Sequence, residues 1–175
     1  MSLVQVDKAT ITSATANADL TGITDNSAYM LTISNFVSDA SSGGHAVLRV
    51  LNGGSPDTTS NYDAAEHNIR TDASYTTASR TNTSFWYISH QLSTTTQSQH
   101  NAIIYLYNFY DSNEYSYIVN QPVDWRSTSH LFSRTGAAYH TVNQSNNGVR
   151  VQTDSGNILK AEITLYKITG AWLIW

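Results

Sequence analysis

Six histidines, ten aspartates, three glutamates and an abundance of hydroxyl side chains are the groups in this chain that could do chemistry. The histidines stand at positions 45, 67, 90, 100, 130 and 140, with no His-x-His pair, no His-Glu-x-x-His run and no close three-ligand spacing. Strands can gather ligands from distant positions, because alternate residues share a face, but rings so scattered read as surface or hydrogen-bonded histidines. Nucleophilic catalysis needs a Ser or Thr beside a base that a third group orients, and no Gly-x-Ser-x-Gly elbow singles out one hydroxyl. Glycoside hydrolysis needs two carboxyls across a sugar. Glu66, Glu114, Glu162 and the aspartates offer no preferred pair, and Glu162 reads as an outward-facing strand residue. Gly43-Gly44 and Gly53-Gly54 lack the following lysine of a phosphate loop. No catalytic residue, metal site or cofactor is therefore assigned, and the expectation is a protein that is not an enzyme.

Aromatic side chains are the enriched resource, with 11 Tyr and 4 Trp. A Tyr or Trp ring in a loop stacks on the apolar face of a pyranose while Asn, Asp or Arg bonds its hydroxyls. Tyr62, Tyr75, Trp125 and Tyr139 are the candidates for that role, with Asn61, Asp63, Asp124 and Arg126 as polar neighbours. Aromatics also fill cores and subunit interfaces, the role expected of Tyr105, Tyr107, Phe109, Tyr166 and Trp86. A calcium-assisted lectin site would draw on Asp57, Asp63 or Asp72.

The elements that must position these residues are strands. The chain has 175 residues, enough for one ordinary domain with its own core, and no cysteine to staple it. Ser, Thr and Asn are plentiful, whereas Glu and Lys number three each, so salt-bridged helix surfaces are out of reach. Charged residues make up only 13% and the net charge is −4, which gives no basic field for nucleic acid. The first residues, Met1 to Lys8, do not read as a signal peptide, and the apolar runs are too short to span a bilayer. A soluble protein made in a cytoplasm, with no membrane insertion, is expected.

Short alternating runs punctuated by Gly, Asn, Asp and Ser predict an all-β, antiparallel two-sheet sandwich of jelly-roll type. Expected strands are Ala9 to Ala18 as an outer strand, Tyr29 to Val37 with Tyr29, Leu31 and Ile33 on one face, and Ala46 to Leu51 stopped at Asn52-Gly-Gly-Ser-Pro-Asp57. Thr58 to Thr83 reads as an irregular excursion with one short strand or helical turn. Phe85 to Leu92 follows as a strand and Ser93 to Gln99 as a polar loop. Asn101 to Tyr110 is apolar or aromatic on both faces, as a strand covered on both sides would be. Tyr115 to Val119 pairs back on it, Ala137 to Val142 and Val149 to Thr153 form a second hairpin around Asn143 to Gly148, and Ile158 to Ile168 closes the fold. Residues 1–170 are expected as one domain. The apolar tail 171–175 places Trp172, Leu173, Ile174 and Trp175 where a solitary monomer gains nothing from exposing them, so a neighbouring subunit or particle is expected to cover them.

Three blocks carry a resemblance. Leu48-Arg-Val-Leu-Asn-Gly-Gly-Ser-Pro-Asp57 followed by Tyr62, then Asn147-Gly-Val-Arg-Val151 and Ser155-Gly-Asn-Ile158, and finally Ile163-Thr-Leu-Tyr-Lys-Ile168, resemble the early strand and the closing strand of jelly-roll structural domains of tailed-phage virions. The resemblance implies a virion component, a capsid decoration or part of a tail fibre, oligomeric as a homotrimer and in contact with other virion proteins, with cell-surface glycan as a candidate ligand. Lys167 departs from that pattern, which has glycine there, and the tail 171–175 is absent from its usual ending. A stand-alone carbohydrate-binding module or lectin is the alternative expectation, and a glycan-cleaving depolymerase is disfavoured by the lack of a carboxylate pair.

Overall fold

A computed structural model describes residues 2–40, 44–72, 75–90, 92, 99–126 and 130–170. Among the described residues, thirteen strands form two antiparallel sheets that pack as a sandwich of the jelly-roll kind. The larger sheet has the order β1(Ser2–Ile11), β13(Ile158–Thr169), β3(Tyr29–Ser38), β9(His100–Tyr107), β10(Ser116–Arg126), β11(His130–His140), β6(Tyr62–Arg70), β7(Thr76–Thr83). The smaller has β2(Asn17–Thr21), β12(Gly148–Thr153), β4(Ala46–Asn52) and β5(Ser55–Pro56), with β8(Trp86–Tyr87) also pairing with β4. Tail residues Trp172, Leu173, Ile174 and Trp175 and most of the polar loop 93–99 lie outside the described residues.

The core sits between the sheets and follows the period of two. Tyr29, Leu31 and Ile33 of β3, Ile104 and Leu106 of β9, Ile118 of β10, and Ile163 and Leu165 of β13 point inward from the larger sheet. Leu20, Leu48, Val50, Val149 and Val151 meet them from the smaller one. Expected turns appear where glycine supplies a positive φ: Gly53 (57°) and Gly54 (82°) link β4 to β5, and Gly156 (78°) leads into β13.

Five readings of the sequence need correction. Ala9 to Ala18 is not one strand: β1 ends at Ile11 and β2 begins at Asn17 in the other sheet. Thr58 to Thr83 is mostly regular, a β6–β7 hairpin that extends the larger sheet. Among the described residues of the Phe85 to Leu92 run, only Trp86–Tyr87 is strand. Ala137 to Val142 and Val149 to Thr153 are no hairpin, because β11 and β12 belong to different sheets. Gly148 serves a close approach and not a turn: a Cβ there would collide with the Leu20 carbonyl across the β12–β2 pair. Finally, β9 is covered on one face only, with Ile103 and Tyr107 open on the other.

Candidate functional site on the outer face of the larger sheet

Alternation that sends one set of side chains into the core leaves the other set on the outer face of the larger sheet. On its central strands that set is unusually apolar. Ile69, Ile103, Val123, Trp125 and Leu131 keep 40% to 52% of their surface exposed. Register gathers them at one end of the sheet: Trp125 stands opposite Leu131, and Val123 opposite Ser133, which in turn faces Ile69. On the same face, Lys8 of β1 pairs with Glu162 of β13 at 3.9 Å. The outer side of the smaller sheet carries Arg150, which donates to both Asp19 oxygens at 2.6 Å, and Arg49, which bonds Gln152 at 3.0 Å.

At the other end of the same strands lies a tyrosine row. Tyr107, Tyr117, Tyr139 and Asp63 are consecutive cross-strand partners on β9, β10, β11 and β6. Tyr115 stacks on Tyr139 with ring centroids 5.8 Å apart and planes at 27°, and Tyr117 lies 6.2 Å from Tyr139. The Tyr139 hydroxyl donates to Asp63 Oδ2 at 3.0 Å, and this bond to a carboxylate raises the phenol's pKa. Asp63 Oδ1 accepts the Asn82 amide at 2.7 Å, aimed by the left-handed backbone of Asn82 (φ 55°). Beside the row, small residues open a groove of about 330 Å³. Ala65 and Ala137, paired across β6 and β11, form its floor, Tyr117 and Tyr139 its wall, and Asp63, Arg80 and Thr81 its rim.

Beneath this face lies a buried charge cluster. Glu66 pairs with Arg80 at 2.7 Å and with Arg134 at 3.5 Å, and Arg134 Nε donates to Asn68 at 3.1 Å. Burial lowers the Arg134 pKa. The Arg80 guanidinium also lies 4.4 Å from the Tyr87 ring centroid, so both of its faces of interaction turn inward.

Of the sugar-binding candidates, structure brings together Asp63 and Tyr139 alone. Tyr62 is wholly buried and is corrected to a core residue: its hydroxyl donates to the Asp57 carbonyl at 2.8 Å and its ring meets Trp86 edge-on at 5.0 Å. Asp124 is also buried, where it accepts the His90 amide at 2.7 Å and pairs with His100 Nδ1, so no ligand reaches it. Tyr75 is exposed at the β6–β7 turn near His67, and Trp125 belongs to the aliphatic end. The backbone of Arg126 pairs with His130; its side chain lies outside the described residues. Asn61 is tied into the Asp57 loop. Phe109 and Trp86 are core residues as expected, whereas Tyr107 is exposed and Tyr105 and Tyr166 are half-buried. Tyr117 and the alanine floor were missed; the Tyr115-Ser-Tyr117 alternation was the available signal.

Among the described residues, histidines pair with carboxylates: His45 with Asp154 at 2.9 Å, His130 with Asp72 at 3.2 Å, His140 with Asp57 at 2.7 Å, and His100 with Asp124. Each pair ties a loop or strand to a neighbour. Among the described residues no three of His, Cys, Asp and Glu cluster as a metal would need.

No protein-family model and no curated protein matches the chain. Solved structures with similarity include the infectious bursal disease virus Gt strain, 11% identical over 95% of this chain and 41% of that one, with a TM-score of 0.16. A second is the VP2 subviral particle of infectious bursal disease virus, 14% identical over 96% and 41%, with a TM-score of 0.16. The chain spans about two fifths of the length of these structures, and likeness at that level carries no argument.

Proposed function

We propose that this chain is a non-enzymatic structural subunit of a tailed-bacteriophage virion, an exposed capsid decoration or tail appendage that packs against further copies of itself as a homotrimer and against other virion proteins. The observation that carries this reading is the aliphatic strip on an outer sheet face. Half-exposed apolar side chains gathered at one end of a sheet face support an interaction site, since a monomer gains nothing by wetting them. Five half-exposed side chains present roughly 350 Å² of apolar surface, about 9 kcal/mol per face at about 25 cal/mol per Å². Two such faces together match or exceed the roughly 4–15 kcal/mol cost of association.

Further support comes from the blocks that resemble virion jelly rolls. Leu48 to Asp57 forms β4, a glycine turn and β5, and Ser155-Gly156-Asn157 turns into β13. Lys167, the departure from the pattern, finds a local use: its ammonium pairs with Asp25, whose carboxylate also accepts the Tyr29 hydroxyl at 3.1 Å.

Sedimentation and native mass of the purified protein test the reading. Wild type is expected as a trimer, and Val123→Glu, which buries an unpaired charge at the strip, weakens association by about a hundredfold or more. A wild type that stays monomeric at about 10 µM, a typical concentration for a weak specific complex, contradicts it. Immunolabelling of intact particles tests the virion assignment itself. A stand-alone lectin is the second reading, favoured by the tyrosine groove; glycan binding by a protein absent from particles would select it.

A further inference from the structure

We infer that the groove beside Tyr117 and Tyr139 is a saccharide site that takes a single uncharged pyranose unit. The inference does not depend on the assembly reading, because Tyr117 and Val123 are six residues apart on β10, about 20 Å along the strand. The tyrosine end stays open when the aliphatic end is covered.

Shape is the first argument. A groove of about 330 Å³ stands at the lower limit of small-molecule sites, roughly 300–1,000 Å³, and suits one sugar ring. Its floor is two alanines in register, so a ring can descend to the sheet backbone. Larger side chains at 65 or 137 would close it.

Pre-organisation is the second. Tyr139 is held by its bond to Asp63 and by the stacked Tyr115, so it loses no freedom on binding. Tyr117 keeps about 40% of its surface exposed and offers a ring face to the C–H side of a pyranose.

Polarity is the third. A carboxylate has about four lone-pair sites, and Asp63 uses two of them, on Asn82 and Tyr139. The other two can accept adjacent sugar hydroxyls, the bidentate contact that distinguishes a polyol from a plain apolar guest. Thr81 supplies a further hydroxyl at the rim. Charges around the groove balance: Asp63 and Glu66 are offset by Arg80 and Arg134, and Arg80 is already bound to Glu66. Among the described residues no free cation stands at the rim to hold an acidic sugar, and Asp63 repels one. The ligand class is a neutral hexopyranose.

The test is saturation-transfer difference NMR on the full chain with methyl pyranosides of glucose, galactose and mannose, and with the methyl glycoside of sialic acid as the acidic probe. At least one neutral probe is expected to bind, with the acidic probe about tenfold weaker or worse. Ala137→Leu, an outward substitution that fills the groove, and Tyr117→Ser are each expected to weaken binding about tenfold, whereas Ser55→Ala, exposed on β5 of the smaller sheet, leaves it unchanged. Circular dichroism and sedimentation check that each variant keeps its fold and oligomeric state. No transfer to any neutral probe, or unchanged binding by Ala137→Leu, overturns the inference. Preference for the acidic probe overturns the ligand class. A change in oligomeric state on Ala137→Leu shows that a sister copy fills the groove, and overturns it too.

Discussion

Single side chains in this protein act mostly through hydrogen bonds that close loops onto strands. Asp57 is the clearest case. Burial works to raise its pKa, but hydrogen bonds from Thr59, His140 and Asn61 overcome this and hold it at about 2. Because the folded value lies below the ordinary one near 4, the stabilisation is present in full above about pH 4 and is lost as pH falls towards about 2. Acid unfolding followed by tryptophan fluorescence should therefore show Asp57→Asn less stable than wild type at pH 6, with the difference shrinking towards pH 2. A constant difference across that range would remove Asp57 from the acid limb. Tyr62→Phe deletes a hydroxyl that donates to the Asp57 carbonyl and accepts from the Val50 amide at 3.3 Å. Urea denaturation is expected to register a loss of about 1–3 kcal/mol, the cost of leaving buried partners unpaired.

Elements decide which residues meet. Strand β12 fits between β2 and β4 because Gly148 has no side chain, and Gly148→Val is expected to cost about 2–4 kcal/mol in the same assay, since backbone must move to admit it. Gly53→Ala is the matched control. Its Cβ meets nothing within 4 Å, so only the left-handed backbone (φ 57°) penalises it, by about 1 kcal/mol. Equal losses at the two sites would contradict the distinction between close approach and turn. The β6–β7 hairpin makes a related point. Its inward residues include Glu66, Asn68 and Arg80 while its outward ones include Ala65 and Ile69, so the usual apolar-in, polar-out alternation is absent and the run reads as irregular. Here a buried ionic cluster, Glu66 with Arg80 and Arg134, occupies inward positions that apolar side chains fill elsewhere.

At the scale of the whole molecule, the exposed apolar side chains at one end of the larger sheet contrast with the Arg150–Asp19 ion pair on the outer side of the smaller sheet. Association through that apolar strip should be nearly insensitive to salt, because its side chains carry no charge to screen. Raising sodium chloride from about 0.1 to about 1 M is expected to leave the sedimentation-derived dissociation constant within about threefold, or to tighten it. A steep weakening with salt would move the contact to the Arg150 and Asp19 side of the smaller sheet.

By itself, the sequence determined that the chain is all strand, where several strands start and stop, and which inward sets form the core. Those properties are local: a period of two and a glycine that must take positive φ are written within a few neighbours. Tyr29, Leu31 and Ile33 were legible in this way, as were the turns at Gly53-Gly54 and Gly156. Only the tertiary structure decided which of two apolar faces is covered, since Asn101 to Tyr110 alternates apolar with apolar and period alone cannot rank its sides. Partners decided it too. Tyr107, Tyr117, Tyr139 and Asp63 become one row through pairings across four strands, and sequence spacing says nothing of which strands lie side by side.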